Sequence, residues 1–183
     1  METKFKDLTN YIISLGAADI NHSDKTYLAH AISVYNDTKA WGGNDKLCRA
    51  ALFHSIYGTQ GFQSFTLPMD RQPELLALIG DYAEKIAFAN CFMERSSFDA
   101  QLGKFEGPYP ILHRITGEEF VLSQAEYEDL IRIHLCDWLE QVERENKWNY
   151  RRAAYRQMAE RLGGIALTSY DRVFAREPNL ADA

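Results

Sequence analysis

Apolar residues recur along most of this chain with the spacing of helix faces. In residues 3–15 they lie three or four positions apart, and Gly16 ends the pattern. The same spacing predicts further helices over residues 24–40, from 44 or 45 to 57, 72–92, 124–146, 148–162 and 169–176. Ser23 is the expected N-cap of the second helix, and Ser123 with Glu126 forms a capping box before the fifth.

One segment follows a different period. Residues 111–115 and 118–122 flank Thr116-Gly117 and are typical of a small β-hairpin. Residues 58–70 and 93–109 lack a clear period and are expected to be irregular. Strands and helices do not alternate, so a parallel sheet is not expected. The pattern predicts a mainly α protein with one small hairpin inserted between an N-terminal core (22–92) and C-terminal helices (124–176).

Composition limits the class of protein. The 183 residues suffice for one domain, taken as 1–183, and 46% hydrophobic with 25% charged residues is an ordinary globular mixture. The net charge of -6 and the lack of a basic stripe argue against a nucleic-acid partner. No apolar run approaches the ~20 residues needed to cross a bilayer, so no membrane partner is expected.

The cysteines and the N-terminal residues suggest a compartment. Cys48, Cys91 and Cys136 are far apart and form no zinc-type spacing. Such sparse thiols are typical of a reducing environment. The N-terminal residues lack the basic start and apolar run of a signal peptide. These features favour a cytoplasmic location.

Histidines are concentrated in the N-terminal half. His22, His30 and His54 are three of the five in the chain. His54 ends the apolar run Ala50-Ala51-Leu52-Phe53 ahead of a break at Gly58, so its ring can face a cleft. His30 lies on the preceding helix, and an antiparallel helical hairpin can bring the two imidazoles together. Imidazole is a ready ligand for transition metals.

This order of residues resembles the HD-domain superfamily of metal-dependent phosphohydrolases, which includes the hydrolase domain of the RelA/SpoT enzymes. His30 is similar to the family's first histidine, and Ala51-Leu52-Phe53-His54 to the run into its second. Ala89-Asn90 is similar to a later Ala-Asp pair. The string His-Ser-Ile-Tyr-Gly-Thr also resembles that of an uncharacterised HD-related family. The resemblance covers about residues 22–92 and implies an HD-like helical bundle that hydrolyses phosphate esters.

Two departures from the family pattern change the expected ligands. Ser55 and Asn90 stand where the family has aspartates. Hard cations such as Mg²⁺ require anionic oxygens, so a family-type site is not expected. The nitrogen-rich set His22, His30 and His54 suits zinc or iron with an open position. The alternative is that no metal is bound.

Neighbouring residues supply candidate roles. His54 is the predicted catalytic residue, assisted by Ser55 or Tyr57. The candidate ligand-binding residues are Trp41, Thr59, Gln60, Asn90 and Arg95. Arg95 can bind a phosphate or carboxylate with its fork of donors. Each of these residues has a structural alternative: aromatics can pack in the core, Thr59 can cap a turn, and Arg95 can pair with Glu94 or Asp99.

Three functions therefore remain open. The favoured one is an HD-like enzyme, a metal-dependent hydrolase or an iron oxygenase, acting on a small anionic or phosphorylated substrate. The second is a module that binds a small ligand after losing the family's chemistry. The third is a homodimeric interaction protein whose interface uses aromatics of the C-terminal helices, namely Trp138, Trp148, Tyr150 and Tyr155.

Overall fold

The computed structural model describes residues 4–22 and 24–178. Helices account for most of this part of the chain, with only two small antiparallel strand pairs. The prediction of a mainly α fold with a small hairpin is therefore confirmed. The expected N-cap at Ser23 lies outside the described residues.

The first three helices form the N-terminal half of the core. Helix α1 spans Phe5–Ser14, and a short strand pair, β1 (Asn21–His22) and β2 (Lys25–Thr26), follows it. Helix α2 (Tyr27–Ala40) begins three residues later than predicted, because this strand pair precedes it and Thr26 provides its N-cap. Helix α3 (Asp45–Leu52) ends five residues early. The turns that follow α3 carry His54.

A glycine divides the next predicted helix into two. Helix α4 (Gln72–Ile79) follows a 3₁₀ turn at Met69–Arg71, and helix α5 spans Asp81–Phe92. Gly80 between them has φ +86°, which L side chains rarely adopt, so the single helix predicted over residues 72–92 is wrong. Helix α6 (Arg95–Asp99) lies in a region predicted to be irregular.

The C-terminal half begins with the predicted hairpin. Strands β3 (Tyr109–Leu112) and β4 (Glu119–Leu122) pair antiparallel. The predicted first strand over residues 111–115 is therefore displaced, and residues 113–118 connect the two strands. Helix α7 (Gln124–Glu145) then starts at the expected capping box: the Ser123 hydroxyl accepts from the Glu126 amide, and the Glu126 carboxylate accepts from the Ser123 amide. Helices α8 (Arg152–Leu162) and α9 (Gly164–Phe174) complete the described chain; α9 begins five residues before its predicted start.

Helix α7 positions the candidate site. It packs against α2, α3 and α5, and its buried face includes Leu130, Ile133 and Val142. Because α2 and α3 pack together beneath it, polar residues on their facing surfaces are held by an apolar core. No described helix is both long and apolar enough to span a membrane.

Candidate metal centre

Three side chains from separate elements converge in the core. His30 comes from α2, His54 from the turn after α3, and Asp137 from α7. The Nε2 atoms of His30 and His54 lie 3.2 Å apart. Asp137 Oδ1 lies 3.0 Å from His30 Nε2 and 3.4 Å from His54 Nε2. This buried group could hold a metal ion.

The hydrogen bonds of the Nδ1 atoms of His30 and His54 determine whether the Nε2 atoms, which lie near Asp137, can act as acceptors. His54 Nδ1 lies 2.7 Å from the Ala51 carbonyl oxygen, which can only accept, so Nδ1 carries the hydrogen. His30 Nδ1 likewise donates to Glu140 Oε2 at 2.7 Å. In their neutral forms both rings therefore present the lone pair of Nε2 to Asp137 Oδ1. Carboxylate or carbonyl support of this kind is typical of histidines that bind metals.

The Nε2 atoms of His30 and His54 and the Oδ1 atom of Asp137 would all be acceptors, so a proton or a metal ion must lie between them. Burial opposes a charge on His30, but hydrogen bonds to Asp137 and Glu140 outweigh it and raise the pKa of His30 to about 9. Burial raises the pKa of Asp137, but its interactions with His54 and His30, which include hydrogen bonds, hold that pKa well below its ordinary value. The cluster therefore retains an anionic oxygen and attracts either a proton or a metal ion.

The spacing of the three atoms suits a small metal ion. Metal–ligand bonds of about 2.0–2.1 Å in tetrahedral geometry place ligand atoms about 3.3 Å apart. The three observed separations of 3.0–3.4 Å match that distance without movement of the helices. Two imidazoles and one carboxylate are also a common catalytic ligand set, in which a further position stays open.

Glu140 holds the His30 ring through Nδ1, the ring nitrogen that does not contact Asp137. Its carboxylate contacts Lys25 Nζ at 2.5 Å and Arg144 Nη2 at 2.7 Å, in addition to His30. Burial raises the pKa of Glu140, but these partners lower it to about 2, so the group stays ionised. Glu140 therefore fixes the orientation of the His30 ring.

A cavity of about 490 Å³ lies against one side of the cluster. His54 and Asp137 form part of its wall, so the cluster faces space large enough for a small molecule. Its other lining residues include His22, Ser55, Thr59, Arg95, Trp138 and Tyr150.

His22 does not belong to the converging set. Its ring stacks on that of His30, with centroids 4.1 Å apart and planes 9° from parallel. Ring lone pairs lie in the ring plane, so His22 cannot aim one at an ion held in the plane of His30. Burial is the chief reason that its pKa falls to about 4. The predicted three-histidine set is thus replaced by two histidines and Asp137.

The residues that follow His54 divide between the cavity and the core. Ser55 and Thr59 line the cavity, and Thr59 Oγ1 accepts hydrogen bonds from the amides of Gly61 and Phe62. Tyr57 lies in the core instead, and its hydroxyl donates to Glu84 at 2.9 Å. The structure therefore does not place Tyr57 beside the cluster as a catalytic partner.

The remaining predicted ligand-binding residues have mostly structural contacts. The Asn90 side chain donates to the His54 carbonyl oxygen at 2.7 Å and does not line the cavity. Trp41 ends α2 and packs on the core, also outside the cavity lining. Gln60 is exposed, and its Oε1 accepts from the Arg95 amide at 3.0 Å. Of this group, Thr59 and Arg95 line the cavity.

The aromatic residues expected at a dimer interface are largely internal. Trp138, Trp148 and Tyr155 are buried within the chain, whereas Tyr150 is 38% exposed. Trp138 stacks on Tyr155 with centroids 5.1 Å apart. Packing within one chain thus accounts for three of the four.

Sequence reasoning missed Asp137 and Glu140. A signal was present, because Asp137 interrupts the apolar stretch Leu135-Cys136-Asp137-Trp138, and Glu140 follows one helical turn later. A carboxylate on a helix face that is otherwise buried needs a partner. The family resemblance points to position 90 for a carboxylate, whereas the structure has it on α7.

Comparison with known proteins gives a match to one family over part of the chain. The model of a family described as a domain of unknown function (DUF6817) matches residues 11–95, a little under half of the chain. No curated protein and no solved structure matches the chain. The matched segment contains His30 and His54, whereas Asp137 lies outside it. This chain is similar over that segment to a family whose description carries no activity.

Proposed function

We propose that this protein is a metal-dependent enzyme that hydrolyses an ester bond of a small molecule at the His30–His54–Asp137 centre. The observation that carries the proposal is the convergence of three acceptor atoms, 3.0–3.4 Å apart, at the wall of a cavity. A bound divalent ion would supply Lewis acidity to the substrate there.

The resemblance to HD domains supports hydrolysis in particular. It pairs His30 with His54, and these two residues share the cluster. The family chemistry implied by that resemblance is cleavage of phosphate esters. Asp137 supplies the anionic oxygen that Ser55 and Asn90 lack, so the departures from the family pattern do not leave the cluster without a carboxylate.

The chain's own residues would bind and orient the reactants. Glu140 holds the ring of His30, and the Ala51 carbonyl holds that of His54, so both Nε2 atoms keep fixed directions. Ser55 lies on the cavity wall directly after His54, and its hydroxyl oxygen is buried.

An iron-dependent oxygenase is the second candidate. Two histidines and one carboxylate with open positions are the ligand set of many non-haem iron oxygenases. This candidate requires that iron, rather than zinc or manganese, be the ion that supports turnover. The third reading, a binding module, requires that ligands stabilise the protein without turnover.

Metal content and activity together test the proposal. Elemental mass spectrometry on the purified protein should find about one transition-metal ion per chain, and this ion should be lost in His54→Ala and Asp137→Asn. His113→Ala, which removes a hairpin histidine, serves as the matched control and should keep the ion. Circular dichroism shows whether each variant folds, and Asp137→Asn changes side-chain volume little.

Turnover then separates the candidates. Protein loaded with zinc, manganese or iron should hydrolyse p-nitrophenyl phosphate, and Asp137→Asn should lower kcat by at least about a hundredfold. Oxygen consumption with iron alone, and no hydrolysis with any metal, would favour the oxygenase. Failure of the folded protein to bind metal after growth in supplemented medium would reject the metal centre.

A further inference from the structure

Arg95 places a guanidinium on the wall of the cavity beside the candidate metal centre. It is the first residue of α6 and lines the cavity with His54 and Asp137. Within residues 4–22 and 24–178 its side chain has no carboxylate partner. Arg95 and Arg151 both lie over the ring of Tyr150. Arg151, in contrast to Arg95, is paired with Asp99.

The Arg95 side chain is held in position before any ligand binds. Its Nη1 donates to the Tyr150 hydroxyl at 2.5 Å, and its backbone amide donates to Gln60. The guanidinium lies against Gly61, where an added Cβ would come within 3.2 Å of both terminal nitrogens. A guanidinium carries five N–H donors, and Tyr150 takes one of them. The others are available to an acceptor in the cavity.

Trp138 is another residue of this cavity wall, but its ring nitrogen is not exposed to the cavity. Trp138 lines the cavity, and its indole nitrogen is buried with no hydrogen-bond partner among the described residues. The indole N–H can only donate. Because that nitrogen has almost no accessible surface, a ligand in the cavity does not reach it, and Trp138 contributes ring surface rather than a donor to this wall. The side-chain donors that this wall offers to a ligand are therefore those of Arg95 and Tyr150.

We infer that the wall formed by Arg95, Tyr150 and Trp138 is an anion subsite that binds a phosphate or carboxylate group of the substrate. A planar fork of donors pairs bidentately with either oxyanion. The assignment of the remainder of the molecule to the His30–His54–Asp137 centre rests on the proposed function. The contact between Arg95 and the anion does not require a metal.

Calorimetric titration with inorganic phosphate and with malonate tests the subsite. Each anion is titrated at constant ionic strength into the purified protein, before and after treatment with a chelator. The variants are Arg95→Met, Arg95→Lys and the control Arg172→Met, which removes an exposed arginine of α9 outside this cavity. Metal content and melting temperature are measured for every sample.

The subsite predicts a loss of anion binding confined to position 95. Arg95→Met should raise the Kd for the anion that binds at least about tenfold. The Kd of Arg95→Lys should lie between those of the wild type and Arg95→Met. The Kd of Arg172→Met should equal that of the wild type. The anion with the larger Arg95-dependent loss, phosphate or malonate, identifies the headgroup. Equal affinity in Arg95→Met and wild type, or binding of neither anion, would overturn the inference.

The two proposals fail in distinguishable ways. Unchanged anion affinity in a folded, metal-loaded Arg95→Met protein rejects the subsite and leaves the metal centre standing. Arg95-dependent binding in a protein that never takes up metal rejects the metal centre and keeps the subsite.

Discussion

His30 and Glu140 are joined by a 2.7 Å hydrogen bond between Nδ1 and a carboxylate oxygen. The bond links the face of α2 that carries the candidate ligand to the buried face of α7. Because Lys25 and Arg144 hold the same carboxylate, the ring cannot turn without breaking several contacts. Glu140 is therefore a positioning residue for the metal centre.

Glu140→Gln should weaken metal binding without abolishing the fold. The amide keeps one oxygen but loses the charge that favours the Nδ1–H tautomer of His30, so affinity for zinc should fall about 10–100-fold. Competition with a chromogenic chelator measures the affinity. Glu143→Gln is the control, since Glu143 is one turn away and pairs with Arg176 instead. Equal losses in both variants would contradict a specific role for Glu140.

Asn90 supports His54 through its backbone, and this contact predicts the effect of restoring the family's aspartate. Asn90→Asp replaces the amide that donates to the His54 carbonyl with a carboxylate that can only accept. We expect a loss of about 1–3 kcal/mol in the free energy of unfolding and no gain in metal affinity. Urea denaturation and metal titration check the two parts.

Asn90→Ala separates the hydrogen bond from the charge. It should destabilise the protein by a similar or smaller amount, because it removes the donor without adding a buried carboxylate. A rise in metal affinity in Asn90→Asp would show that position 90 can act as a ligand after all.

The fold was more predictable than the site because its signals are local. Capping at Ser123 is decided by neighbouring residues and appears where the sequence indicates. The hairpin forms in the predicted region, but residues 113–118 rather than Thr116-Gly117 alone connect its strands. Gly80 was harder to interpret, since an isolated glycine within a helical pattern is often tolerated. Its left-handed backbone conformation depends on how α4 and α5 pack.

The candidate site depends on contacts between distant residues. His30 and Asp137 are separated by more than a hundred positions, and no spacing rule connects them. The resemblance pairs His30 with His54, as the cluster does, but it places the family's carboxylate at position 90, where this chain has Asn90. Only the packing of α7 on α2 and α3 places Asp137 between the two rings.

Metal removal should lower thermal stability. An ion that binds the folded chain alone adds about 2.7 kcal/mol at a free concentration one hundred times Kd. For a chain of this size we expect the melting temperature to rise about 5–10 °C when chelator-treated protein is reloaded with zinc. Scanning calorimetry measures the shift.

Asp137→Asn provides the reference for that experiment. Without the anionic oxygen, zinc should no longer raise the melting temperature, and the apo form of Asp137→Asn should melt below the apo wild type because His30 loses a buried carboxylate partner. An identical zinc effect in both proteins would place the bound ion elsewhere.

His134 makes stability fall at acid pH. Its Nδ1 donates to Asn90 Oδ1 at 3.3 Å, and its Nε2 accepts from Arg151 Nη1 at 2.7 Å, so a second ring proton would face a guanidinium. Burial first, and then the charge of Arg151, hold the pKa of His134 well below 6.5. The unfolded chain takes up a proton near pH 6.5 and the folded chain does not, so stability is lost as pH falls below that value.

His134→Gln should therefore flatten the acid side of the stability curve. Its free energy of unfolding should fall less steeply between pH 6.5 and 5, by up to about 1.4 kcal/mol per pH unit, although the variant is less stable at pH 7. Urea denaturation with chelator present, which removes any metal contribution, measures both slopes. His113→Gln controls for the loss of a partly exposed histidine. Parallel curves for His134→Gln and wild type would mean that His134 accepts its proton in the folded state.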